Sequence, residues 1–169
     1  ESFKCQRDPQ IAKLLQERLD HLVAQRSRSL IGRQKFETQS RLIRKKLVDL
    51  SDDLHWKVIN FLLQNFQTIL LPHFESQEIR KQRLGRQTNR KLDYLRHFKF
   101  KQRLQEKVSG RPETRVFLVG EEYTSKTCGR CGWLNPSTKY FSTFHCDSCD
   151  FVADRDLNAA RNILLKHLV

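Results

Sequence analysis

No run of about 18 apolar residues occurs anywhere in this 169-residue chain, and its mean hydropathy is −0.66. A helix crossing a bilayer needs about that many in succession, so a membrane-spanning helix is excluded. No segment has the charged start and apolar centre of a secretory signal. Cysteine is scarce: five residues, an odd number that leaves one over from any set of disulfides. Acidic residues are also few. Nineteen Asp and Glu face 32 Lys and Arg, for a net charge of +13 and a pI near 9.9. That excess points to a polyanionic partner, either nucleic acid or an acidic membrane. The length suits one core, or a core plus a small metal-held module.

What is present is concentrated near the C-terminus. Cys128, Cys131, Cys146 and Cys149 form two CxxC pairs with fourteen residues between them. Zn²⁺ prefers four thiolates in a tetrahedron, and each CxxC turn aims two sulfurs at one point. Disulfides would require an oxidising compartment and would strand Cys5. A redox CxxC would occur once, beside a βαβ pattern. The spacing therefore predicts one structural zinc ribbon and an intracellular setting. The interval 132–145 reads as its hairpin, with Pro136 and Ser137 turning the chain and Tyr140, Phe141 and Phe144 in short strands. His145 borders Cys146, but four cysteines already fill the shell. Trp133 and Tyr140 suit the small ribbon core better than base stacking.

Upstream, Ile11, Leu14, Leu15, Leu19, Leu22 and Val23 recur at helical spacing over 9–30, with Asp8-Pro9 as a helix start. A second helix is expected over about 37–65, with Leu47, Leu50, Leu54, Val58, Phe61 and Leu62 on its packed face. The two, joined near Gly32, read as a helical hairpin. The run 67–71, ended by Pro72, and the run 116–119, ended by Gly120, read as strands.

Between them, 80–107 holds eleven basic residues against Asp93 and Glu106. Arg80, Lys81, Arg83, Arg86, Arg90, Lys91, Arg96, Lys99, Lys101 and Arg103 are the candidates for contacts to nucleic-acid phosphates, which would be salt-sensitive. After Cys149 comes Asp154-Arg155-Asp156-Leu157-Asn158-Ala159-Ala160-Arg161-Asn162-Ile163. It reads as an acidic helix start, with Leu157, Ala160, Ile163, Leu164 and Leu168 facing inward. Either Asp154 or Asp156 would serve as an N-cap. The fold class is α/β with long helical segments and a zinc module inserted near the end.

The segment Glu121–Gly132, reading EEYTSKTCGRCG, resembles the entry to the zinc ribbon of transposon-encoded TnpB proteins. Asp154–Ile163 resembles the last catalytic motif of their RuvC-like nuclease domain, and Asp53–Lys57 the helix before its second catalytic strand. The resemblance covers roughly residues 40–169 and is most specific at the end. It implies a partial RNase H-like (RuvC) core in an RNA-guided DNA endonuclease.

TnpB proteins place a catalytic Glu at the end of the second strand, where this chain has Pro72. The eukaryotic branch called Fanzor is similar in lacking it and in using a Glu from the strand entering the ribbon. By position that is Glu121, with Glu122 as the alternative. The resemblance thus implies Glu121 and Asp156 as catalytic ligands of Mg²⁺, two ions in all. Such a pair of ions activates water and stabilises the leaving oxygen of a phosphodiester. Asn158 and Arg161 would position phosphate or the acid. The family's first-strand Asp, in a glycine-flanked motif, has no counterpart here.

The chain therefore reads as the C-terminal part of a larger nuclease, inactive alone. The remainder of the polypeptide would supply that Asp and the guide-binding domain. Residues 1–120 would form the helical hairpin, strands and basic helices of the RuvC-like domain, 121–152 the ribbon, and 153–169 the final helix. Partners would be a guide (omega) RNA and target DNA, with no membrane, and a nuclear location if the source is eukaryotic. The competing reading is a non-catalytic zinc-ribbon module that binds nucleic acid, derived from a transposon-encoded protein.

Overall fold

The computed structural model describes residues 8–73, 85–135 and 142–168. The chain divides into two compact units, one over 1–66 and 75–111, the other over 67–74 and 112–169. Both strands flanking the basic helices thus group with the ribbon and the last helix. The sequence-based division had grouped them with the helices.

The first unit is helical. Helices α1 (Asp8–Ser27) and α2 (Arg33–Asn65) pack as a hairpin, and Gly32 caps α2 in an extended conformation. Helices α3 (Arg86–Leu95) and α4 (His97–Ser109) follow. The buried stripe of α2 is Ser40, Ile43, Ser51, His55, Ile59 and Leu63. It runs beside the expected stripe, whose leucines, Val58 and Phe61 are half-buried. Three polar residues occupy the buried line, and apolar periodicity passes over them. Ala12 and Leu22 of α1 and Leu104 of α4 complete this core.

A polar network fastens α2 to α3 and α4. Asp52 Oδ1 accepts from Arg96 Nη1 and Arg103 Nη1, each at 2.7 Å. Arg103 Nη1 also lies 3.2 Å from His55 Nδ1, and His55 Nε2 lies 2.8 Å from the Leu95 carbonyl. The arginine can only donate, so Nδ1 accepts and Nε2 carries the proton. Arg96 adopts a left-handed conformation, φ 43°, at the break between α3 and α4. That costs a non-glycine residue about 1 kcal/mol or more, offset here by the bond to Asp52. Arg103 and Lys107 stand over Trp56 at 5.2 and 5.6 Å from its ring centre.

In the second unit, β1 (Thr68–Pro72) pairs in parallel with β2 (Arg115–Val119), Thr68 opposite Arg115 and Pro72 opposite Val119. Pro72 lacks an N–H and sits at the strand's last position, where the His73 N–H continues the pairing to Val119 O at 2.9 Å. β3 (Thr143–His145) pairs antiparallel with β4 (Val152–Asp154), and α5 (Arg155–His167) follows at once. The element order is the expected one, and the mixed α/β class holds. Among the described residues no helix is long and apolar enough to cross a membrane.

Burial sets His55 below its ordinary pKa, partly opposed by the Leu95 carbonyl, and His97 is lowered for the same reason. The unfolded chain then takes up protons first as pH falls. Stability is full above the unfolded value of about 6.5 and declines below it. Urea midpoints should fall between about pH 7 and 5. His55→Gln should reduce that slope, leaving the share due to His97. An unchanged slope would exclude a buried neutral His55.

Candidate metal centre and the acidic helix start

Each CxxC caps its own short hairpin. A bridge between Thr127 and Leu134 flanks the first pair, and β3 with β4 flanks the second. The expectation of a single hairpin over 132–145 is modified: among the described residues, Phe144 pairs with Ala153 beyond the second knuckle. Pro136, Ser137, Tyr140 and Phe141 lie outside the described residues, as does Cys5.

Gly132 takes φ 77° as the chain leaves the first knuckle, a value that favours glycine. Cys128, Phe144 and Cys146 form the ribbon core, with Trp133, Cys149 and Phe151 packed on it. Trp133 is thus a packing residue, half-buried.

The four sulfurs lie within 4.8 Å of one another. Cys128 to Cys149 is 3.7 Å and Cys131 to Cys146 is 3.6 Å. A tetrahedron with Zn–S of about 2.3 Å has S···S edges of about 3.8 Å. The residues therefore fit zinc, and all four would hold it. The free thiols are poorly matched to one another. At Cys128 burial acts upward but is outweighed by the backbone N–H groups of Cys131 and Arg130, which bring it down to about 7. Burial first, then the neighbouring thiols, push Cys149 up to about 12. A cation at the centre would relieve that mismatch by holding all four as thiolates. His145 is outside the set, its Nδ1 being 3.4 Å from Asp147 Oδ1.

α5 lies on this ribbon through amides rather than through its leucines. Asn158 Oδ1 accepts from the Gly129 N–H at 2.9 Å, and Asn158 Nδ2 donates to Thr127 O at 2.8 Å. Asn162 Nδ2 donates to Thr124 O and Thr127 O at 2.9 and 2.7 Å. These two asparagines are the buried residues of α5. Leu157, Leu164 and Leu168 are exposed, as is Ala160, and Ile163 is half-buried. The expected inward face was therefore wrong. Asn158, 2% exposed, is committed to the knuckle and is unavailable to phosphate. The missed signal was two asparagines four apart in mid-helix, where Asn is a poor helix former unless its amide has work to do.

The carboxylates have distinct places. Asp154 caps α5, its Oδ1 accepting from the N–H groups of Asp156 and Leu157 at 2.9 and 3.1 Å. The Asp156 side chain is 87% exposed in the first turn, 3.3 Å from Arg155 Nη2. Glu122 Oε2 accepts from Lys166 Nζ at 2.8 Å, a bond that lowers its pKa. It folds close over Gly120, where a Cβ would come within 2.6 Å of its Oε2. Among the described residues Glu121 makes no such pair. Partial desolvation first, and Glu122 second, raise its carboxyl above the ordinary value.

α5 packs chiefly on β3, β4 and the first knuckle. Lys166 meets Glu122 at one end of α5, while Asp156 opens the other, ten residues or about 15 Å of helix away. Among the described residues, neither Glu121 nor Asp156 belongs to a group of three or more metal-ligand side chains.

Residues 97–163 match the family model described as Cas12f1-like, TNB domain. Over 135 residues, 78% of the chain, it is 40% identical to protein A625R of Paramecium bursaria Chlorella virus 1, whose name assigns it provisionally to the transposases. Over 123 residues, 71% of the chain, it is 32% identical to TnpB-like protein L79 of Acanthamoeba polyphaga mimivirus.

The chain belongs to the TnpB/Cas12f-type family.

It spans 30% of A625R and 23% of L79, so it corresponds to less than a third of these relatives. The cryo-EM structure of a Cas12f1–sgRNA–target DNA complex is similar in fold. It covers 88% of this chain and 41% of its own, with a TM-score of 0.53 at 22% identity. Against this family background the basic residues over 80–107 separate into groups. Arg90 is ion-paired with Asp20, and Arg96 and Arg103 share Asp52, so two carboxylates offset part of the charge of these three arginines within the helical unit. Lys99 and Lys101 are half-buried. Arg80, Lys81 and Arg83 lie outside the described residues, as do the side chains of Arg86 and Lys91.

Structural zinc contributes on the order of 10 kcal/mol to a small module's folding. Chelation, or Cys146→Ser, should therefore expose the amides of β3, β4 and the Cys128–Gly132 turn to hydrogen exchange while leaving α2 protected. Unchanged protection in the ribbon after chelation would exclude a structural zinc.

Proposed function

We propose that the chain is the C-terminal part of an RNA-guided DNA endonuclease of the Fanzor branch, acting by Mg²⁺-dependent, RuvC-like hydrolysis. Glu121 and Asp156 are its contribution to the metal ligands, and the rest of the polypeptide contributes the first-strand Asp and the guide-RNA site. One observation carries the reading: the division of labour within the acidic motif. Asp154 is used as a cap, and Asn158 and Asn162 are used against the ribbon. That leaves Asp156 as an exposed carboxylate with no capping role, at the positive end of a helix dipole, where an anion is favoured.

The choice of Glu121 over Glu122 rests on the same argument, since Glu122 is held by Lys166. Pro72 at the end of β1 supports the Fanzor branch, because no acid is available there. Parallel strands β1 and β2 end at the same edge, the usual location of a site in open α/β sheets, and Glu121 follows directly. Bound there, Mg²⁺ would supply the charge that stabilises a leaving oxygen.

A second reading, a nucleic-acid-binding module without catalysis, draws support from Glu122, the neighbour of Glu121, meeting the end of α5 opposite Asp156. The test is cleavage by the complete polypeptide with guide RNA and Mg²⁺. Asp156→Ala and Glu121→Ala should each lower the rate by about three orders of magnitude with target affinity unchanged, whereas Glu122→Ala should retain most activity. Full cleavage by Asp156→Ala contradicts the proposal. Binding without cleavage by the unmutated protein establishes the second reading.

A further inference from the structure

The way α5 is docked links the zinc site to Asp156. A surface helix ordinarily docks by an apolar stripe, which holds it by area and tolerates sliding. Here the buried residues of α5 are Asn158 and Asn162, which make four hydrogen bonds. Hydrogen bonds are directional, so they fix a position. All four go to backbone groups of Thr124, Thr127 and Gly129, which lead into or lie within the first knuckle.

Gly129 lies between the two ligands Cys128 and Cys131. A Cβ at Gly129 would come within 2.9 Å of Asn158 Oδ1 and 3.1 Å of Arg161 Cδ. The helix thus sits on bare backbone whose conformation is set by closure of the knuckle. Asp156 is two residues before Asn158, about 3 Å along the axis, so whatever fixes Asn158 fixes Asp156.

We propose that Asn158 and Asn162 are positioning residues that make the placement of α5, and with it Asp156, conditional on zinc at the first knuckle. The catalytic consequence rests on the reading of Asp156 as a Mg²⁺ ligand, whereas the coupling to zinc does not. Coupling between sites is reciprocal: if zinc organises the acceptors of the clamp, the clamp must strengthen the hold on zinc.

Three measurements on the complete protein test this. Zinc transfer to a chromophoric chelator should be at least ten-fold faster in Asn158→Ala, Asn162→Ala and Gly129→Ala, and unchanged in Leu165→Ala on the exposed side of α5. In the unmutated protein, hydrogen exchange over residues 155–162 should rise when zinc is removed, while β1 and β2 stay protected. In Asn158→Ala, the Mg²⁺ concentration for half-maximal cleavage should rise several-fold with target-DNA affinity unchanged, a separation that general loss of structure does not produce.

Wild-type zinc transfer in Asn158→Ala and Asn162→Ala, or undiminished protection of α5 without zinc, overturns the proposal. The exchange measurement needs no variant, so a misfolded mutant does not shield the idea. If zinc transfer and exchange respond but the Mg²⁺ requirement does not, the coupling stands and the reading of Asp156 is the part that fails.

Discussion

Four sulfurs within 4.8 Å of one another have the spacing that a tetrahedral zinc requires. Two are pulled in opposite directions, one to about 7 and one to about 12. Among the described residues, the apolar core around them is Phe144 with Trp133 and Phe151. A module of that size does not close on hydrophobic burial alone, and small domains commonly use a metal in its place. A tetrahedral metal would set both knuckles at once. The first knuckle presents the backbone of Thr127 and Gly129, and α5 is seated on that backbone.

This order gives the C-terminal motif its sense. Of its polar side chains, Asp154 ends a strand and caps a helix, and Asn158 and Asn162 receive the ribbon. Asp156 is left facing solvent at the helix start. An exposed carboxylate beside side chains committed to the cap and the ribbon is the one free to bind an ion. The same contrast separates Glu121 from Glu122, whose carboxylate is spent on Lys166. In the helical unit the reverse holds. Arg90, Arg96 and Arg103 looked like contacts for a polyanion, yet Arg90 is bound to Asp20, and Arg96 and Arg103 share the one carboxylate of Asp52. A positive residue count is a poor guide to a positive surface when acids from distant sequence are placed against it.

Much of this was readable in the sequence. The cysteine spacing predicted the sulfur cluster, and the order of helices, strands and ribbon followed from periodicity and turn residues. Family membership followed from EEYTSKTCGRCG and the Asp154–Ile163 segment. What escaped was polar packing. The buried line of α2 runs through Ser40, Ser51 and His55, and that of α5 through Asn158 and Asn162, so both apolar-face expectations missed. The ribbon hairpins escaped for a different reason. Fourteen residues between the cysteine pairs look like one loop, but each knuckle closes its own hairpin, with partners outside that interval. Hydrophobic patterning reports which residues avoid water, and says little about side chains buried to satisfy a backbone.

X-ray absorption at the zinc edge, on protein purified without added metal, tests the central claim most directly. The account predicts one zinc per chain with four sulfurs at about 2.3 Å and no lighter atom in the first shell. A shell with three or fewer sulfurs and a nitrogen or oxygen, or protein that folds with no zinc at all, would contradict it. In that case the seating of α5 on the first knuckle would need another cause.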